Sequence, residues 1–140
     1  MLQAIELDMG HLATLTHQRA IKRLIVGLDK LYDQGNIRLE ALPETDIDPG
    51  NPESKCPDII LRDNVAVAVP VIIEVATHFG ARTDLKKLRR LIEDTEYGIE
   101  EGFVYDFEQK KWLKYRKGQG EATENTAWSD VLQIDLSGLV

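Results

Sequence analysis

Two aliphatic runs that each carry one carboxylate constrain this chain more than any other feature. Asp58 opens Ile59-Ile60-Leu61, and Glu74 sits inside Val71-Ile72-Ile73-Glu74-Val75-Ala76. β-Branched and aliphatic residues at this density belong in buried strands. Between the runs, Arg62-Asp63-Asn64 is turn chemistry, because Asn and Asp tolerate left-handed backbone and bond their own main chain. A hairpin of the two runs makes positions 58 and 74 equidistant from Ala66, opposite each other on one face and within cross-strand contact. Adjacent carboxylates repel unless a proton or a cation joins them. The pattern therefore points to a divalent-metal site.

The remaining segments predict a mixed α/β setting. From His17, apolar positions Ile21, Leu24, Ile25, Leu28, Leu31 and Tyr32 recur at helical period. Arg19, Lys22, Arg23, Asp29, Lys30 and Asp33 fall on the other side. Thr14 or Thr16 is the expected N-cap, Gly35-Asn36 the stop, and residues 1–13 a lead-in. Ile37, Leu39 and Ala41 alternate with Arg38 and Glu40 as a half-exposed strand ending at Pro43. Residues 43–57 form a long loop with four of the five prolines, Gly50 and the acids Glu44, Asp46, Asp48 and Glu53. Pro70 cannot donate to a ladder, so it marks the start of the Glu74 strand or a bulge. A loop over 77–83 leads to a helix capped by Thr83 or Asp84, with Leu85, Leu88, Leu91 and Ile92 inward and Tyr97-Gly98 closing it. Phe103–Asp106 and Trp112–Tyr115 pair as a hairpin. Residues 117–127 read as a flexible loop, and 131–136 as an edge strand or a short closing helix.

With 140 residues, the chain predicts one domain over 1–140. Net charge of −7 argues against indiscriminate nucleic-acid binding. Lys86, Lys87, Arg89 and Arg90, and again Lys110, Lys111, Lys114, Arg116 and Lys117, still allow a local basic face. No apolar run is long enough for a bilayer, and no basic-then-apolar leader opens the sequence. A cytoplasmic protein without a membrane partner is expected, and the lone Cys56 is expected as a small core residue. Trp112 and Tyr115 among lysines read as core residues or as a base-stacking strip. His78 offers a base or ligand, and His17 or Gln18 on the first helix offers a further polar group.

Taken in order, Pro57-Asp58 before an apolar strand, Glu74 in Ile72-Ile73-Glu74-Val75, a helix from near Asp84 with Lys87, and the strand Phe103–Asp106 form a familiar set. The set resembles the PD-(D/E)xK nuclease superfamily, especially its small restriction-endonuclease-like members, over residues 16–116. The resemblance implies an α/β restriction-endonuclease-like core, a mixed β-sheet flanked by two main helices. It implies Asp58 and Glu74 as ligands of Mg²⁺, or of Mn²⁺ as an alternative, and metal-dependent hydrolysis of DNA. In such proteins a lysine two residues after the Glu helps orient the attacking water. Here that position is Ala76, and Lys87 matches members that carry the lysine on the next helix; Lys86 projects about 100° away from it. DNA and a second copy of the chain are the implied partners, since one small chain would have difficulty cutting both strands. The alternative is a catalytically inactive member of the same fold serving as a binding or assembly module.

Overall fold

The structure, a computed structural model, describes residues 2–50 and 56–140. Helix α1 spans Leu2–Asp33. The expected lead-in is therefore part of the helix from residue 2, and Thr14 and Thr16 lie inside it. Residues 2–13 are mostly good helix formers (Leu, Gln, Ala, Glu and Met) with no proline, so the single Gly10 is outweighed and the helix runs through. Its C-terminus closes as a paired cap around Gly35, whose φ of 75° is left-handed. The Asn36 N–H donates to Leu31 O at 2.8 Å and the Gly35 N–H to Tyr32 O at 3.0 Å.

Six strands follow in one sheet, ordered as in the sequence: β1 (Glu40–Pro43), β2 (Ile59–Asp63), β3 (Ala68–Ala76), β4 (Glu101–Asp106), β5 (Lys111–Arg116) and β6 (Gly120–Glu121). Only β3 and β4 run parallel, joined through α2 (His78–Glu93). The expected alternation over 37–41 holds in burial, but pairing begins only at Glu40. Residues 51–55 of the acidic loop lie outside the described residues. Between β2 and β3 the register shifts where Val69 and Pro70 together face Arg62, so Pro70 sits in a bulge that needs no donor from it.

Apolar residues of β2–β5 divide between the two faces. Ile59, Leu61, Val71, Ile73, Val75, Phe103, Tyr105 and Trp112 pack against α1. Ile60, Ile72, Ala76, Val104 and Tyr115 pack against Ala81, Leu85, Leu88 and Ile92 of α2. Trp112 and Tyr115 are thus both buried on opposite faces and form no strip. Gly102 lets α2 come close, since a Cβ there would stand 3.1 Å from Leu88 Cδ1 and 3.2 Å from Ile92 Cδ1.

The C-terminal region is more ordered than a flexible loop. After β6, β7 (Trp128–Ser129) pairs with β8 (Ile134–Asp135), and a 3-10 helix over Leu136–Leu139 packs on α1 beside Gly27. Residues 131–136 therefore contribute both a short strand and the start of a helical turn. Its fastening is polar. Lys114, expected on a basic surface, is buried; its Nζ donates to Trp128 O at 2.7 Å and Asp130 Oδ2 at 2.5 Å. Fully buried Glu101 lies 3.8 Å from Nζ and accepts from Ser129 Oγ and the Asp130 and Val131 N–H groups. A buried carboxylate demands such partners, which the hairpin strand supplies. No helix among the described residues is long and apolar enough to cross a membrane.

Candidate active site

Extending the β2–β3 register Ile59↔Ile73 by one residue sets Asp58 beside Glu74. The two residues interlock through main chain. The Asp58 N–H donates to Glu74 Oε1 at 3.2 Å, and the Val75 N–H donates to Asp58 Oδ2 at 2.8 Å. Glu74 shares its sheet face with Ile72 and Ala76, so α2 covers part of it while the rest opens onto a cavity. Burial, then the charge of Asp58, pushes the Glu74 carboxyl up to about 8, and Asp84 adds to the rise. At neutral pH the pair therefore retains a proton unless a cation replaces it.

Helix α2 starts earlier than expected. Thr77, rather than Thr83 or Asp84, is the N-cap: its backbone is extended and its hydroxyl accepts from the Gly80 N–H at 3.2 Å. The helix ends at Glu93, before Tyr97-Gly98, with the Asp94 N–H bonded to Arg90 O. Because α2 begins one residue after β3 and runs back across the sheet, Asp84 lies about 9 Å and Lys87 about 13.5 Å along its axis. Helical side chains lean toward the N-terminus, which brings Lys87 back toward the level of Glu74. Both residues line a cavity of about 650 Å³ together with Glu74, Pro57, Cys56 and Arg90. Lys86 does not line it.

Asp84, which the sequence suggested only as a cap, is thus a site residue. Its carboxylate is largely covered, with 24% of the side chain exposed, and lies 4.0 Å from Lys87 Nζ. Burial raises its pKa against the opposing charge of Lys87, and Asp58 raises it further. The missed signal was spacing: Asp84 and Lys87 are three apart and share a helix face.

His17, not the exposed Gln18, reaches the site from α1. Its Nε2 donates to Val75 O at 2.8 Å and lies 3.5 Å from Asp58 Oδ2. His78 instead pairs with Asp106, Nδ1 to Oδ2 at 2.7 Å, while its N–H donates to Glu108 Oε1. Cys56 is exposed at the cavity mouth rather than buried in the core, because Pro57, and not Cys56, turns inward at the start of β2. Desolvation and the acids Asp46, Glu44, Glu74 and Asp58 raise its thiol, which disfavours the thiolate. Asp46 and Asp48 remain in the loop outside this cavity. Among the described residues no group of three or more His, Cys, Asp or Glu side chains is arranged to hold a metal ion.

No family model matches the chain, and no curated protein sequence is significantly similar to it. Among solved structures it is similar to a "putative nuclease belonging to DUF820" from Anabaena variabilis. The TM-score is 0.65 at 15% identity, over 89% of this chain and 79% of that one. Identity at this level speaks for the fold alone. The chain has a nuclease-like α/β fold: a mixed six-stranded sheet with a main helix on each face.

Proposed function

We propose that the chain is a metal-dependent phosphodiesterase acting on DNA, with Asp58 and Glu74 as ligands of Mg²⁺ or Mn²⁺ and Lys87 in place of the lysine missing at Ala76. One observation carries this reading. Two partly buried carboxylates meet across β2 and β3, and burial together with the Asp58 charge raises Glu74 to about 8. The donor set fits Mg²⁺, which is commonly held by one or two carboxylates and completes its shell with water. When bound, the ion supplies Lewis acidity toward a phosphoryl oxygen and acidifies water.

The chain's own residues do the rest. The Asp58 and Val75 N–H groups fix both carboxylates before any substrate arrives, so little reorganisation remains at the moment of reaction. His17 braces Val75 and Asp58 from α1. Lys87 presents three donors and a positive charge to a phosphate entering the cavity, and Asp84 holds that ammonium on the cavity side of α2.

A specific observation favours a second reading, an inactive nuclease fold used as a binding or assembly module. Lys87 acts on Asp84, whereas no cation is among the groups that set the Glu74 pKa. Plasmid nicking with Mg²⁺ or Mn²⁺ by the wild type, Asp58→Ala, Glu74→Ala and Lys87→Ala decides between the two. The nuclease reading expects nicking lost by 10²-fold or more, on the order of one catalytic group's contribution, in all three variants. It also expects Mg²⁺ to raise the melting temperature of the wild type, more at pH 8 than at pH 6, because binding displaces the Glu74 proton. No nicking and no metal-dependent stabilisation would leave the module reading.

A further inference from the structure

On the α1 face of the sheet, opposite the Glu74 cavity, lies a second cavity of about 440 Å³. Arg19 and Arg23, one helical turn apart on α1, line it with Lys110 from the β4–β5 turn. Tyr105, Phe107 and Trp112 also line it, Tyr105 and Trp112 with their rings 4.8 Å apart. No Asp or Glu lines this cavity, in a chain whose net charge is −7. Among the described residues none of the three cations makes an ion pair. The Glu74 cavity, by contrast, mixes Glu74, Asp84 and Asp94 with Lys87 and Arg90.

One side chain connects the two sites. His17 packs its ring edge-on against Phe107 at 6.1 Å and sets its Nε2 against Val75 O and Asp58 Oδ2. A strand crossing that end of the sheet would therefore pass from the carboxylate pair to the three cations. Two guanidinium forks and an ammonium, with no carboxylate side chain among them, are the chemistry that holds a phosphodiester.

We propose that the Arg19–Arg23–Lys110 cavity binds a backbone phosphate of a nucleic-acid strand that, farther along its length, reaches Asp58 and Glu74. The second half of this statement rests on the phosphodiesterase reading; the first rests on the cavity alone. The test is fluorescence anisotropy of a labelled oligothymidine in EDTA, where no metal-dependent cutting occurs, between about 50 and 200 mM KCl. Wild type is compared with Arg19→Gln/Arg23→Gln/Lys110→Gln and with Lys22→Gln/Lys30→Gln/Arg38→Gln, which removes the same charge from exposed positions elsewhere. The cavity variant should bind about tenfold or more weakly, and its salt slope should fall by about 0.7 for each lost phosphate contact. The control should keep both, at unchanged melting temperature. Equal affinity and slope in the cavity variant, equal weakening in the control, or no binding by wild type would each overturn the proposal. Weakened binding by a protein that never cuts would retain the phosphate cavity and discard the phosphodiesterase; cutting with unchanged binding would do the reverse.

Discussion

Between its ordinary pKa of 4.5 and a folded value of about 8, Glu74 holds a proton in the folded chain that the unfolded chain releases. The folded state then binds more protons, so stability falls as pH rises through this window, by at most about 1.4 kcal/mol per unit. Below pH 4.5 this contribution is fully present, and above about 8 it is gone. Glu74→Gln keeps an oxygen that accepts from the Asp58 N–H but cannot ionise. Urea denaturation in EDTA should therefore show wild-type midpoints dropping from pH 5 to pH 8 more steeply than those of Glu74→Gln. Parallel curves would mean that Glu74 is not the group responsible. The facing of Asp58 and Glu74 was legible in the sequence, because a period of two and a turn about Ala66 leave one register. Asp84 was not, since its role depends on where α2 starts. Nor was the choice of His17 over Gln18, which rests on how α1 packs against β3.

Among the elements, the β4–β5 hairpin and α2 were read correctly in kind and shifted at their ends. Short polar signals such as Thr77 compete with equally good caps downstream, and only tertiary packing selects among them. Sequence also misled at Lys114. A lysine in Lys111-Trp112-Leu113-Lys114-Tyr115 looks like the wet side of a hairpin, and the covering β7–β8 segment is too short to announce itself. That segment hangs on the Lys114–Glu101–Asp130 group. Lys114→Met should cost about 3–5 kcal/mol, because it strands the buried Glu101 carboxylate without its cation. Lys111→Met, on the exposed side, should stay within about 0.5 kcal/mol. Guanidinium denaturation of both variants measures the difference, and similar midpoints for the two would refute the buried-pair account.

For the whole molecule, the proposed cleavage of DNA bears on the oligomeric state. The sheet leaves β1 as an edge of four residues and β6 as an edge of two, both short. If the chain cuts both strands, two copies are expected, with a second Asp58–Glu74 pair facing the opposite strand. Light scattering at micromolar concentration should then give twice the 15.8 kDa of the chain, with or without duplex DNA present. A monomer under both conditions, nicking without ever linearising plasmid, would assign it a single-strand task.

The near-absence of slack between β3 and α2 has a further consequence. One residue, Thr77, separates the strand from the helix, so the angular phase of α2 is set by the strand itself. Leu85, Leu88 and Ile92 are buried by the same phase that turns Asp84 and Lys87 toward Glu74. Removing or adding one residue at this junction would rotate the helix by about 100°, expelling the leucines and the lysine together. Point substitutions can change the cavity lining and spare the fold; a change of length at residue 77 cannot separate the two.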